Sequence, residues 1–171
     1  MEHLHDIHVR KPEPADIAGM ARVHVSSWQE TYRGMMPDTV LDDPQFIERR
    51  ERFWTAALID PRYAENRAAL AESAGEVVGV AMAGKPEDQN NEFDSQLYLI
   101  YLLKRVQGSG AGQALLEAVL RPEDSVVLWV ADPNPLAQSF YCRNGFKADG
   151  ISKDEDGVRE IRMVRPPDAT H

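Results

Sequence analysis

The stretch LYLIYLLKRVQGSGAGQALLEAVL, Leu97 to Leu120, decides how the rest of the chain is read. Leu97 to Leu103 is an apolar run of strand length, and from about Gly110 to Leu120 the apolar residues recur at helical spacing. Between them stand two basic residues and the glycines Gly108, Gly110 and Gly112. Glycine adopts positive φ and lets a ligand approach the backbone closely. A helix N-terminus leaves N–H groups without acceptors and carries partial positive charge, so it holds anions without a lysine. Strand, glycine loop and helix in that order predict a phosphate-bearing ligand lying on loop backbone.

On the N-terminal side, IHVRKP (Ile7 to Pro12) alternates and reads as an opening strand. Pro14 and Asp16 then start a helix that Gly34 stops. Ile17, Met20, Ala21, His24, Trp28 and Tyr32 share one of its faces. A second helical pattern runs from Asp38 through Phe46, Phe53, Trp54 and Leu58, with Pro44 as a point of division. RAALAES and AGEVVGVAMAG, separated by AGE, form a hairpin, and a polar loop, KPEDQNNEFDS, leads into the opening stretch. Beyond Leu120, SVVLWVA is a buried strand. DPNPLAQSFYCRNGF is a short helix with Asn134 as N-cap, Pro135 at its first position and Gly145 as its stop. A last hairpin turns around DEDG. The predicted order is β-α-α-β-β-β-α-β-α-β-β, an α/β domain with a mixed, mostly antiparallel sheet flanked by helices.

At 171 residues the chain is expected to be a single domain over 1–171, with its core from about 7 to 166 and frayed termini. No apolar run approaches the ~20 residues of a bilayer span, and the N-terminus has no apolar signal segment, so a cytoplasmic protein without membrane contact is expected. One cysteine rules out an internal disulfide. A net charge of -9 argues against binding nucleic acid and favours a cationic partner such as an amine. His3, His5 and His8 lack the spacing and cysteine support of a zinc site, and no metal is expected.

The glycine loop lacks the GK[ST] of a P-loop, and its G-x-G-x-G spacing after a fourth strand departs from the dinucleotide fingerprint. The pattern that fits is Q-x-x-G-x-G, Gln107 to Gly112. Together with WQETYRGMMPDTVLD near the N-terminus and NPLAQSFYCRNGF near the C-terminus, it resembles the GNAT superfamily of N-acetyltransferases, in motif order and element order from Ile7 to Pro166.

The resemblance implies acetyl-CoA as cosubstrate, transfer of its acetyl group to a primary amine, and direct attack of that amine on the thioester. The pantetheine arm would pair with the backbone of Ile100, Tyr101 and Leu102 as an added strand does. The pyrophosphate would lie on Gln107, Gly108, Ser109, Gly110, Ala111 and Gly112, and Asn134 would contact the cofactor arm. Tyr141 would serve the leaving thiolate, as general acid or as hydrogen-bond donor. The Leu102 amide would stabilise the oxyanion. Trp28 and Tyr32 would face the acceptor, a small-molecule or protein amine. A homodimer is common in the family, although no residue pattern here marks one. A non-catalytic acyl-CoA-binding or sensing module, or a transferase of another acyl group, are the alternatives.

Base candidates are His24, Glu30, Glu92 and Asp94, and the sequence does not choose among them. Where many members carry a carboxylate just before the fourth strand, this chain has Gln96. A histidine on an apolar helix face reads first as a core residue, and Tyr141 as a core aromatic is the plain alternative to its catalytic role. Cys142 is expected to be small, buried and inert. Lys104, Arg105 and Arg143 read as solvated charges, one or two of which could meet CoA phosphates.

Overall fold

The computed structural model describes residues 6–88 and 92–168. Its elements are β1 (His8–Arg10), α1 (Ile17–Tyr32), α2 (Asp38–Leu41), α3 (Phe46–Ile59), β2 (Arg67–Ser73), β3 (Glu76–Gly84), β4 (Ser95–Leu102), α4 (Ala111–Val119), β5 (Val126–Ala131), α5 (Pro135–Arg143), β6 (Lys147–Glu155) and β7 (Val158–Arg165). This is the predicted order, with Pro44 in the break between α2 and α3. The strands form one mixed sheet in the order β1-β2-β3-β4-β5-β7-β6, flanked by helices. Among the described residues no helix is long and apolar enough to cross a membrane. The predictions for His3, His5 and the end of the tail fall outside the described residues.

The chain divides into two compact units. One takes in everything up to Ala83 together with Leu99–Val119. Here β1 pairs with β2 and β2 with β3, all antiparallel. The β2–β3 turn puts Ala74 and Gly75 at positive φ. The start of α1 departs from the simple reading. Pro14–Asp16 is a 3-10 turn, and the Asp16 carboxylate accepts from the Glu13 N–H at 2.8 Å and takes both ends of the Arg10 fork. Asp16 thereby ties the start of α1 to β1. The α1 face buries Met20, Ala21, Val23 and His24, and α1 packs on α3. Helix α4 packs on β1 and β2, burying Leu115, Leu116 and Val119.

Gly79 on β3 shows how closely β4 is seated. A Cβ there would lie 2.6 Å from Leu102 Cδ2, 3.0 Å from Leu115 Cδ1 and 3.3 Å from the Tyr101 carbonyl oxygen. Gly79→Ala is expected to cost about 1–3 kcal/mol by overpacking. A urea midpoint equal to that of the wild type would show that β4 gives way freely.

The other unit comprises Gly84–Tyr98 and the chain from Leu120 onward. Within it β4 meets β5 in parallel at Ser95–Val126 and Gln96–Val127. β5 is antiparallel to β7 along its whole length, from Val126–Arg165 to Ala131–Glu160. β6 pairs with β7 with a register shift between Ala148 and Ser152, and the turn joining them carries Asp156 and Gly157 at positive φ. The tail, expected to fray beyond about 166, is held further: the Asp168 N–H donates to the Pro122 carbonyl at 2.7 Å.

Candidate active site

The glycine loop belongs to the first unit, and its hydrogen bonds alternate. The Gln107 N–H donates to the Lys104 carbonyl at 3.2 Å and the Ser109 N–H to the Val106 carbonyl at 3.3 Å. The Ala111 N–H donates to the Ser109 hydroxyl at 3.3 Å, and that hydroxyl donates in turn to the Val106 carbonyl. The first bond of α4 runs from the Ala114 N–H to the Gly110 carbonyl at 3.1 Å. The amides of Gly112 and Gln113 precede it, in the turn that has no acceptor within its own helix. Gly108 and Gly110 hold φ of 79° and 92°, conformations that side chains disfavour, which is why these positions are glycine. Of the six loop residues named from sequence, three have amides already engaged inside the loop. The glycines are the other three.

β4 continues this surface. The Leu103 N–H donates to the Val78 carbonyl on β3 at 3.0 Å. Backbone amides alternate sides along a strand, so the Leu102 N–H points away from β3. The Leu102 carbonyl accepts from the Ser27 hydroxyl of α1 at 3.4 Å, which fastens this residue to the helix. The Lys104 N–H donates to Glu30 at 3.2 Å, and Arg105 pairs with Glu76 at 2.9 Å.

Trp28, Tyr32 and Tyr101 lie in one aromatic cluster, also in the first unit. Trp28 and Tyr32 have centroids 4.9 Å apart, and His24 lies 4.8 Å from Tyr101 and 6.3 Å from Trp28. His24 is 2% exposed. Burial, helped by the Arg50 charge, lowers its pKa to about 3. It is a neutral imidazole at neutral pH and far too weak a base to hold an ammonium proton. The expectation that it is a core residue holds. Arg50 belongs to this cluster as well, and the sequence reading missed it. Its run, ERRER, looks like a solvated face, yet Arg50 stands four residues after Phe46 and three and four before Phe53 and Trp54. That spacing was the available signal.

In the second unit, Asn134 caps α5 as expected, its side-chain oxygen accepting from the Ala137 N–H at 3.3 Å. The other end of α5 explains NGF. Gly145 takes φ of 88°, its N–H reaches the Cys142 carbonyl at 3.2 Å, and the Phe146 N–H reaches the Tyr141 carbonyl at 3.0 Å. This is a Schellman closure, whose usual apolar contact is here Phe146 against Tyr141, edge to face at 5.8 Å. The motif fixes Tyr141, which is 8% exposed. Cys142 corrects the sequence reading. It is exposed, because the helix turns it about 100° away from the buried Tyr141.

Two other named groups turn out to be structural ties. The Asp94 carboxylate accepts from the Ser125 N–H at 2.9 Å and its hydroxyl at 3.1 Å, joining the start of β4 to that of β5. Gln96 is buried, its side-chain oxygen accepting from the Glu87 N–H at 2.9 Å, so it anchors the polar loop. Glu92 is exposed.

The mixed sheet flanked by helices, with a glycine loop running into the N-terminus of α4, defines an α/β protein. Residues 48–165 match the family described as "Acetyltransferase (GNAT) domain", and the chain belongs to that family. It is 29% identical over 160 residues to an uncharacterised N-acetyltransferase, YuaI, of Bacillus subtilis, covering 91% of this chain and 87% of that one. It is 26% identical over 153 residues to a probable N-acetyltransferase, Rv2775, of Mycobacterium tuberculosis, covering 85% and 82%. Its fold is similar to that of the PaiA N-acetyltransferase of Thermoplasma acidophilum in complex with coenzyme A, with a TM-score of 0.70 and 21% identity over 94% of this chain and 99% of that one.

Proposed function

We propose that the protein transfers an acetyl group from acetyl-CoA to a primary amine by direct attack on the thioester. The observation that carries this reading is the alternation in the loop. Gln107, Ser109 and Ala111 hold the loop in shape with their amides. The amides of Gly108, Gly110 and Gly112 then receive the pyrophosphate at the N-terminus of α4. The acyltransferase family and a relative in fold solved with coenzyme A support it.

In this reading Ile100, Tyr101 and Leu102 offer backbone to the pantetheine arm. The outward Leu102 N–H meets the oxyanion as it forms, a donor fixed before the reaction begins. Asn134 contacts the cofactor arm, and Trp28 and Tyr32 line the amine side. Tyr141 donates to the departing thiolate. A tyrosine near pKa 10 and a thiol near about 8.5 differ by roughly 2 kcal/mol, so Tyr141 acts first as a hydrogen-bond donor while charge builds on sulfur. With His24 buried and Glu30 and Asp94 engaged on backbone amides, the exposed Glu92 is left of the four candidate bases, beside loss of the proton to bulk solvent before the attack. The single cysteine and the absence, among the described residues, of a membrane-crossing helix fit work in the cytoplasm.

Isothermal titration calorimetry with acetyl-CoA should give saturable binding, in the range of about 1 µM to 1 mM that is usual for enzyme substrates. No heat at millimolar acetyl-CoA would overturn the reading. Binding without CoA release in the presence of any amine would reduce the protein to an acyl-CoA-binding module.

A further inference from the structure

Arg50 lies in the apolar face of α3, with its guanidinium carbon 5.7 Å from the Phe46 ring centroid and 5.3 Å from that of Phe53. Its Nε is buried without a hydrogen-bond partner, and no carboxylate among the described residues pairs with it. The chain has 28 acidic residues against 19 lysines and arginines, and Arg10, Arg33, Arg49, Arg62, Arg105, Arg159 and Arg162 each have a carboxylate. A half-buried arginine left without one stands out.

Three more buried polar atoms share this situation: Trp28 Nε1, Trp54 Nε1 and His24 Nδ1. They belong to the same cluster. His24 lies 6.1 Å from Trp54 and 5.6 Å from Phe53, and Phe53 lies 5.2 Å from Trp54. An indole N–H and a guanidinium N–H can only donate, and a neutral imidazole can donate from Nδ1. Buried donors without an acceptor are rare and call for an explanation. Three obligate donors and one positive charge specify the missing partner: an anionic oxygen group. Tyr101, whose ring packs on His24, immediately precedes Leu102, the residue assigned to the oxyanion, so this cluster adjoins the acetyl-transfer point within the same unit.

We infer that the acceptor is an amine that also carries a carboxylate, which docks on Arg50 beside the indole N–H of Trp28. The substrate class is then amino acids and related ω-amino acids, not polyamines, although the acidic surface alone would favour a polycation. This rests on the acetyltransferase reading above.

The test measures CoA release from acetyl-CoA with matched acceptors: the common amino acids and γ-aminobutyrate, each beside the amine obtained by removing its carboxylate. The best amino acid is expected to exceed its matched amine in kcat/KM by about tenfold or more, the worth of a charge-assisted hydrogen bond. In Arg50→Gln that ratio should fall toward one, and Arg50→Lys should keep part of it. If Arg50 only supported the packing of Phe46 and Phe53, both members of a pair would slow together and the ratio would survive, which would overturn the inference. So would a wild-type preference for the plain amines, while leaving acetyl transfer intact. If no acceptor turns over, thermal shifts with N-acetyl amino acids against the matching acetamides decide the point: equal shifts overturn the inference, and a larger shift with the acids, lost in Arg50→Gln, supports it. Failure to bind acetyl-CoA at all overturns both readings together.

Discussion

Gly110→Asp is expected to weaken acetyl-CoA binding by more than about 100-fold, or ~2.7 kcal/mol. The reason is not crowding within the protein, since a Cβ at Gly110 meets nothing within 4 Å. Two other effects act. A residue other than glycine at φ of 92° is strained by about 1–2 kcal/mol. The larger effect is electrostatic. Gly110 is the N-cap of α4, since its carbonyl accepts from the Ala114 N–H. An aspartate at an N-cap turns its carboxylate onto the amides two and three residues ahead, here Gly112 and Gln113. It would take the seat of the pyrophosphate and repel what remains. The same capping favours the helix, so the variant should fold. Gly110→Ala carries the strain without the charge and should cost about 30-fold at most, the equivalent of ~2 kcal/mol. Calorimetry on the two variants separates these contributions. Unchanged affinity in Gly110→Asp would place the pyrophosphate elsewhere.

Tyr141→Phe is expected to lower kcat by about 100-fold, the lower end of what a positioned proton donor contributes. Acetyl-CoA affinity should stay within about twofold, because the cofactor contacts are assigned to backbone. The substitution is clean for a structural reason. Tyr141 occupies the third position from the end of α5 and supplies the apolar partner of Phe146 in the Schellman closure. Phenylalanine supplies the same ring against Phe146, so the closure of α5 is kept and the variant should fold. An unchanged kcat would make Tyr141 a packing residue, and the thiolate would then leave without its help.

Much of this was legible in the sequence because turn chemistry is local. Ala74-Gly75 and Asp156-Gly157 mark hairpins through the left-handed conformations they adopt. Asn134-Pro135 and Gly145 bracket α5 for reasons contained within a few residues. The loop glycines, too, mark a tight strand-to-helix connection, with Gly108 and Gly110 at positive φ. What stayed hidden depends on the third dimension. Asp94 and Glu30, which read as candidate bases, are ties to Ser125 and to the Lys104 amide, contacts that span 31 and 74 residues. Cys142 was expected to be buried, although its neighbour Tyr141 claims the inward direction. Arg50 was invisible because charge dominates the look of ERRER, and only packing against Phe46 and Phe53 shows that it turns inward.

The two ends of the sheet bear on assembly. β1, at one end, has three residues. β6, at the other, is exposed along nearly its whole length and carries Lys147, Asp149, Lys153, Asp154 and Glu155. It breaks register at Ala148–Ser152, where Gly150 takes positive φ and Asp149 pairs with Arg162. A strand from another molecule would find too short a template at the first end. At the second it would find a kinked and charged one. Both are recognised defences against edge-to-edge association. Extension of one sheet into that of a second copy is therefore disfavoured at both ends.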